Sequence, residues 1–151
     1  MTEKDYLLER DVKMAHAVDS LCFMEQQYLL DCVVLCLNVL FLVFNAFGVE
    51  ADEQKASIKE ETHLPKGKTK TVATAFFKND LIVHSERLSD MFGLREEMYI
   101  TLTLKEKQQF LFYTHNDLKN NGPEKLQQVM IKDFEDALES LGMQKPIKQG
   151  E

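Results

Sequence analysis

The longest apolar run in the chain is Tyr28–Phe47, YLLDCVVLCLNVLFLVFNAF. Its polar members Asp31, Asn38 and Asn45 recur every seven residues. Seven residues are close to two helical turns, so the three line one narrow stripe, which Ser20 and Gln27 extend backwards. A helix of this kind is surrounded on most sides and is wet or hydrogen-bonded along one edge. A strand reading competes, because continuous apolar runs do not separate the two. The length of the run, the polar spacing and the lack of an internal turn residue favour the helix. No Gly or Pro occurs before Gly48. One unbroken helix from Lys4 to Phe47 would be about 65 Å long, too long for a compact domain. A break is therefore expected near Asp19–Gln27, giving two antiparallel helices.

After Phe47 the pattern changes. Residues 50–70 carry few apolar side chains and end in Pro65 and Gly67, which reads as a mobile loop with one helical turn near Asp52–Glu61. Beyond it the period becomes two. Thr71–Phe77 and Leu81–His84, separated by Asn79-Asp80, predict a hairpin. Ser85 is placed to cap a short helix through Phe92, stopped by Gly93. Tyr99–Leu104 sets Ile100, Leu102 and Leu104 on one face and Tyr99, Thr101 and Thr103 on the other; Lys105–Lys107 turns the chain and Gln109–Thr114 returns. Asn121-Gly122-Pro123 then opens a helix with Pro at its first position. Leu126, Met130, Phe134, Leu138 and Leu141 form its stripe, and Gly142 ends it.

The predicted fold is α+β. N-terminal helices precede an antiparallel sheet of about four strands in two hairpins, joined by a short helix, and a long C-terminal helix packs on the sheet. Residues 1–145 form a single domain with a mobile loop at 50–70, and 146–151 are a frayed tail. The order of elements resembles the small scaffold folds of the roadblock/longin type and the dimeric secretion-chaperone type. The resemblance is one of element order only; no motif in the chain is specific to either.

Composition narrows the function classes. With 151 residues, 44% of them hydrophobic and 28% charged, the chain is an ordinary globular one. The net charge of −7 repels phosphate backbones, so no nucleic-acid partner is expected. Lys66, Lys68 and Lys70 have no interleaved aromatics and read as a solvated loop. A membrane span at Tyr28–Phe47 would have to hide Asp31, Asn38 and Asn45 in lipid, and no basic cluster flanks the run, so a span is not expected. Cys22, Cys32 and Cys36 sit in apolar sequence and read as buried thiols, without a second pair to complete a zinc site. Residues 1–20 are charged throughout, unlike a signal peptide. The expected location is the cytoplasm, or the host cytoplasm for a viral source.

The candidate chemistry is sparse. Gly67-Lys68-Thr69 lacks the first glycine of a phosphate loop, because position 62 is Thr62, and no strand is predicted before it. His84-Ser85-Glu86 and His115-Asn116-Asp117 look like triads, but adjacent residues on a strand point to opposite faces. Both fall where a strand is expected to give way to a loop, which points to surface or capping roles. His16 with Cys22 or Cys36 across a helix hairpin is the one nucleophile pairing to consider. Glu96-Glu97, Asp133 and Glu135-Asp136 read as solvated faces. No catalytic residue, metal site or cofactor is expected.

Ten Phe and seven Met are a large apolar supply for one small core. Clusters occur at Phe41, Phe44 and Phe47, at Phe76 and Phe77, and at Phe110 and Phe112. Surplus apolar surface marks interfaces. The expected function is a non-enzymatic protein–protein interaction module (adaptor, chaperone-like or inhibitor subunit) with a homodimeric or heteromeric protein partner. Leu37, Leu40, Phe41, Phe44 and Phe47 are its candidate contacts. The alternative is a small-ligand binder or enzyme, with Asn38 and Asn45 as the polar groups of an apolar pocket between sheet and helix.

Overall fold

The computed structural model describes residues 32–90 and 96–146. The break expected near Asp19–Gln27 lies outside the described residues, as do Asp31, Gly93 and residues 147–151. The order is α1 (Cys32–Ala46), β1 (Ile58–Leu64), β2 (Lys68–Phe76), β3 (Leu81–Ser89), β4 (Glu96–Leu104), β5 (Lys107–Thr114), α2 (His115–Asn121) and α3 (Pro123–Ser140). The five strands form one sheet in the order β1-β2-β3-β4-β5, with every neighbouring pair antiparallel. The fold is α+β: a helix before the sheet and a long C-terminal helix packing on it.

Helix α1 is apolar around most of its circumference. Leu35, Cys36, Leu37, Val39, Leu40, Val43, Phe44 and Phe47 are buried in the core. Asn38, Leu42 and Ala46 are exposed and Asn45 is half-buried, so the wet edge is there and narrow. The helix ends on Gly48, whose φ of +71 suits a residue without Cβ; the Val49 amide then bonds back to the Phe44 carbonyl at 2.9 Å. Ala51 bridges to Phe77 and carries the chain to the rim of the sheet. The Phe44 ring meets Phe77 edge to face at 5.0 Å and 84°.

Strands β2–β4 alternate as a half-buried sheet should. Ala73, Ala75, Val83, Met98, Ile100 and Leu102 point to the inner face, against the helices. On α3, Leu126, Met130, Phe134 and Leu138 are buried as the stripe predicted, followed by Leu141. Lys145, assigned to the domain's end, pairs with Glu135 at 2.6 Å. Pro146 lies where a Cβ on Gly48 would come within 3.3 Å of its ring.

Three expectations change. The sheet has five strands rather than about four, because the segment expected to be a mobile loop at 50–70 contains β1 and the start of β2. Strand β1 is exposed on both faces apart from half-buried Leu64, so no apolar alternation marks it; ladder pairing to β2 holds it. The short helix expected from Ser85 is not formed as far as Ser89, because Ser85–Ser89 continue β3. Pairing on both sides, with Ala73 and Ile100 opposite Ser85, wins over the capping signal. His84 therefore lies within a strand, not at its end. His115 opens α2 instead of a loop: Thr114 caps it, its hydroxyl accepting from the Asp117 amide at 3.3 Å while Asp117 Oδ2 accepts from the Thr114 amide at 2.8 Å.

An ion pair lies on the inner face. Arg87 Nη2 donates to Glu96 Oε1 at 2.7 Å, and the two side chains are 9% and 2% exposed. The two residues sit diagonally across β3 and β4, since Arg87 faces Met98 and Ser89 faces Glu96. A buried pair gains little over a well-packed apolar replacement, but removing one partner strands a charge. Glu96→Ala should therefore cost about 3–5 kcal/mol. The double variant Arg87→Met/Glu96→Leu should recover most of that loss. Urea unfolding followed by circular dichroism measures both; equal losses in the single and double variants would contradict a stranded-charge penalty.

Candidate functional site

With the helices on the inner face, the opposite positions of each strand define an outer face. Its rows follow from the register. One runs Thr74–His84–Thr101–Phe110, the next Val72–Glu86–Tyr99–Phe112, and the third Lys70–Leu88–Glu97–Thr114. A further row runs Phe76–Ile82–Thr103–Gln108, so the β2–β3 part of the face mixes polar Lys70, Thr74, His84 and Glu86 with half-buried Val72, Phe76, Ile82 and Leu88. The β4–β5 part is aromatic, and it stays open: Phe110 is 71% exposed, Phe112 50% and Tyr99 40%.

The aromatic group is ordered by cross-strand contact. Tyr99 and Phe112 are direct partners, with ring centroids 4.6 Å apart and planes tilted by 32°. Phe110 stands in the adjoining row. The Tyr99 hydroxyl donates to Glu97 Oε2 at 3.0 Å. Beside this group, His84 Nδ1 meets Thr74 Oγ1 at 3.0 Å and its Nε2 lies 3.5 Å from Glu86 Oε1. Lys70 reaches the other Glu86 oxygen at 3.9 Å. His84 and Glu86 thus share a face while Ser85 points inward, as strand alternation requires. The hydroxyl beside His84 comes instead from Thr74, a cross-strand neighbour.

The residues singled out on α1 have a different setting. Leu37, Leu40, Phe44 and Phe47 are buried in the core and Phe41 packs against it half-buried. Asn38 is exposed. A cavity of about 420 Å³ is lined by Glu139, Gly142, Met143, Gln144 and Lys145, and one of about 280 Å³ by Lys68, Leu88, Ser89, Asp90 and Glu97. Neither cavity includes Asn38 or Asn45. Among the described residues no group of three or more His, Cys, Asp or Glu is arranged to hold a metal ion. None of their helices is long and apolar enough to cross a membrane.

Sequence reasoning noticed Phe110 and Phe112 as an apolar surplus but did not place them on a site. The signal was present in Gln109–Thr114, QFLFYT, which is apolar on both faces although it follows a turn and precedes a helix. A strand covered on one side only must expose one of those faces.

Comparison with protein-family models, with curated proteins and with solved structures returns no match.

The Tyr99 phenol is pushed above the usual tyrosine value. Its hydrogen bond to Glu97 is the main cause, followed by partial desolvation and the negative charges of Glu97 and Glu86. The neutral phenol can donate to the carboxylate and the phenolate cannot. The interaction is thus present at neutral pH and lost only as pH rises through the raised value. Glu97→Gln should move the ionisation of one tyrosine to lower pH. Tyrosinate absorbance titration checks this; unchanged curves in the variant would count against the Glu97 contact.

Proposed function

We propose that the chain is a non-enzymatic protein–protein interaction module: an adaptor, chaperone-like or inhibitor subunit that works by presenting apolar surface. The observation that carries this reading is the exposed aromatic group Tyr99, Phe110 and Phe112 on the uncovered face of the sheet. Large aromatics left open side by side have reason to be covered. Burying each such side chain is worth about 1.5–3 kcal/mol. Two or three together support a micromolar contact after the entropic cost of association. Tyr99 adds a polar handle, since its hydroxyl stays at the edge of the patch with Glu97. A cytoplasmic setting goes with this reading, on three cysteines, an odd number, all set in apolar sequence.

Site-specific photocrosslinking in cells tests it. A benzophenone side chain at position 110 should give a discrete covalent adduct with a protein that mass spectrometry identifies. The same probe at Lys59, exposed on β1, should not give that adduct. Indistinguishable yields from the two positions would remove the support for the aromatic face as an interface.

A further inference from the structure

The two edges of the sheet are built differently. Strand β1 ends the sheet on one side and carries Lys59, Glu60, Glu61 and His63 within seven residues. Charges in such density along an edge oppose pairing with another chain. Strand β5 ends the sheet on the other side, and from Gln108 to Thr114 it has no charged residue, no Pro and no Gly. It also bears the two most exposed phenylalanines among the described residues, Phe110 and Phe112. In an acidic chain with a net charge of −7, a neutral edge is the place where two copies approach without repulsion.

We propose that β5 pairs edge to edge and antiparallel with β5 of a second copy, joining two five-stranded sheets into one continuous sheet. This deepens the interaction-module reading and rests on it, by naming the partner as the chain itself. The strand is self-complementary, which a two-fold contact demands. A pairing centred on Leu111 sets Phe110 opposite the partner's Phe112, and the reverse. The outer row Val72–Glu86–Tyr99–Phe112 then runs on into the partner's Phe110, and the Tyr99–Phe112 ring contact becomes part of a longer aromatic ribbon across the junction. The ends match in charge as well. Lys105, Glu106 and Lys107 leave one end of β5 with a net single positive charge and Asp117 follows the other, so antiparallel pairing brings the basic end of each strand towards the acidic end of its mate.

The helical layer offers a second contact on the same side. Val129 on α3 is 42% exposed. It lies one turn before Asp133, on the same stripe, and Asp133 Oδ2 accepts from the Tyr113 hydroxyl of β5 at 2.9 Å. An exposed apolar side chain therefore stands on the flank of α3 that is tied to the open edge.

Sedimentation equilibrium of the whole chain at micromolar concentrations tests the proposal. The parent should approach twice the 17.5 kDa chain mass. Phe110→Lys, at an exposed position, should stay folded by circular dichroism and weaken self-association at least about tenfold, as loss of a central interface aromatic does. Amide exchange gives a reading without substitution: exchange in 108–113 should slow as concentration rises, while exchange in 58–63 should not change. A monomeric parent overturns the proposal, even where the position-110 crosslink reports some other protein and so leaves the interaction-module reading standing. A dimer that persists in Phe110→Lys, or exchange in 108–113 that ignores concentration, overturns it too.

Discussion

The contact of α1 and α3 with one face of the sheet sets the terms for the remainder of the chain. Leu40, Val43 and Phe44 from α1 and Met130, Phe134 and Leu138 from α3 join Ala75, Val83, Met98, Ile100 and Leu102 in one core. Phe44 against Phe77 fixes the end of that layer where the chain leaves α1 and reaches the sheet. Because strand side chains alternate, covering one face fixes the register of every strand beneath it. A slip of one residue in β3 would turn Val83 outward and His84 into the core. The same alternation that builds the core consigns Tyr99, Phe110 and Phe112 to the opposite side.

The ion pair between Arg87 and Glu96 applies the same constraint in polar form. It ties β3 to β4 near the ends of the strands that the 91–95 connection joins. Its net contribution over an apolar pair is small, but any register that separates the two side chains leaves a charge in the core. Ser85 Oγ and Arg87 Nε are also buried without a hydrogen-bond partner. Such groups raise the energy of the native face slightly. In this part of the sheet the alternation of Ser85, Arg87, Glu96 and Met98 is a matter of specificity more than of hydrophobic gain.

The parts of the fold legible in the sequence were those with a clean period. Leu126 to Leu141 repeats every three or four residues, and the structure has α3 there. Thr71–Phe77 and Tyr99–Leu104 repeat every two, and both hairpins formed. The unmarked parts are those held by pairing alone. Strand β1, Ile58–Leu64, has charged and polar groups on both faces, so composition reads as loop while the β2 ladder makes it a strand. Ser85 has the chemistry of a cap, yet two neighbouring strands claim its backbone. The most apolar run in the sequence, and so the one that most suggests an interface, contains α1. Burial there goes with its contacts to α3 and β4: the most hydrophobic segment joins the core, and the exposed aromatics come from a segment of only moderate hydropathy.

That inversion bears on how such surfaces arise in small α+β chains. A helix apolar all round is buried by whatever lies near it, so its Phe residues carry no information about partners. An edge strand covered on one side cannot bury both its faces. In β5, Leu111 and Tyr113 are taken up by the inner layer, with Tyr113 further held by Asp133. Phe110 and Phe112, one position out of phase, have no helix to meet among the described residues. Neither belongs to the core cluster, and the ring contact of Phe112 with Tyr99 lies on the outer face. The outer row already shows the polar solution at β3, where His84 and Glu86 are held by Thr74 and Lys70. The exposed aromatics Tyr99, Phe110 and Phe112 lie on β4 and β5, at the edge whose strand carries no charge from Gln108 to Thr114. This difference between the two edges is the observation on which the proposed pairing of β5 with a second copy rests.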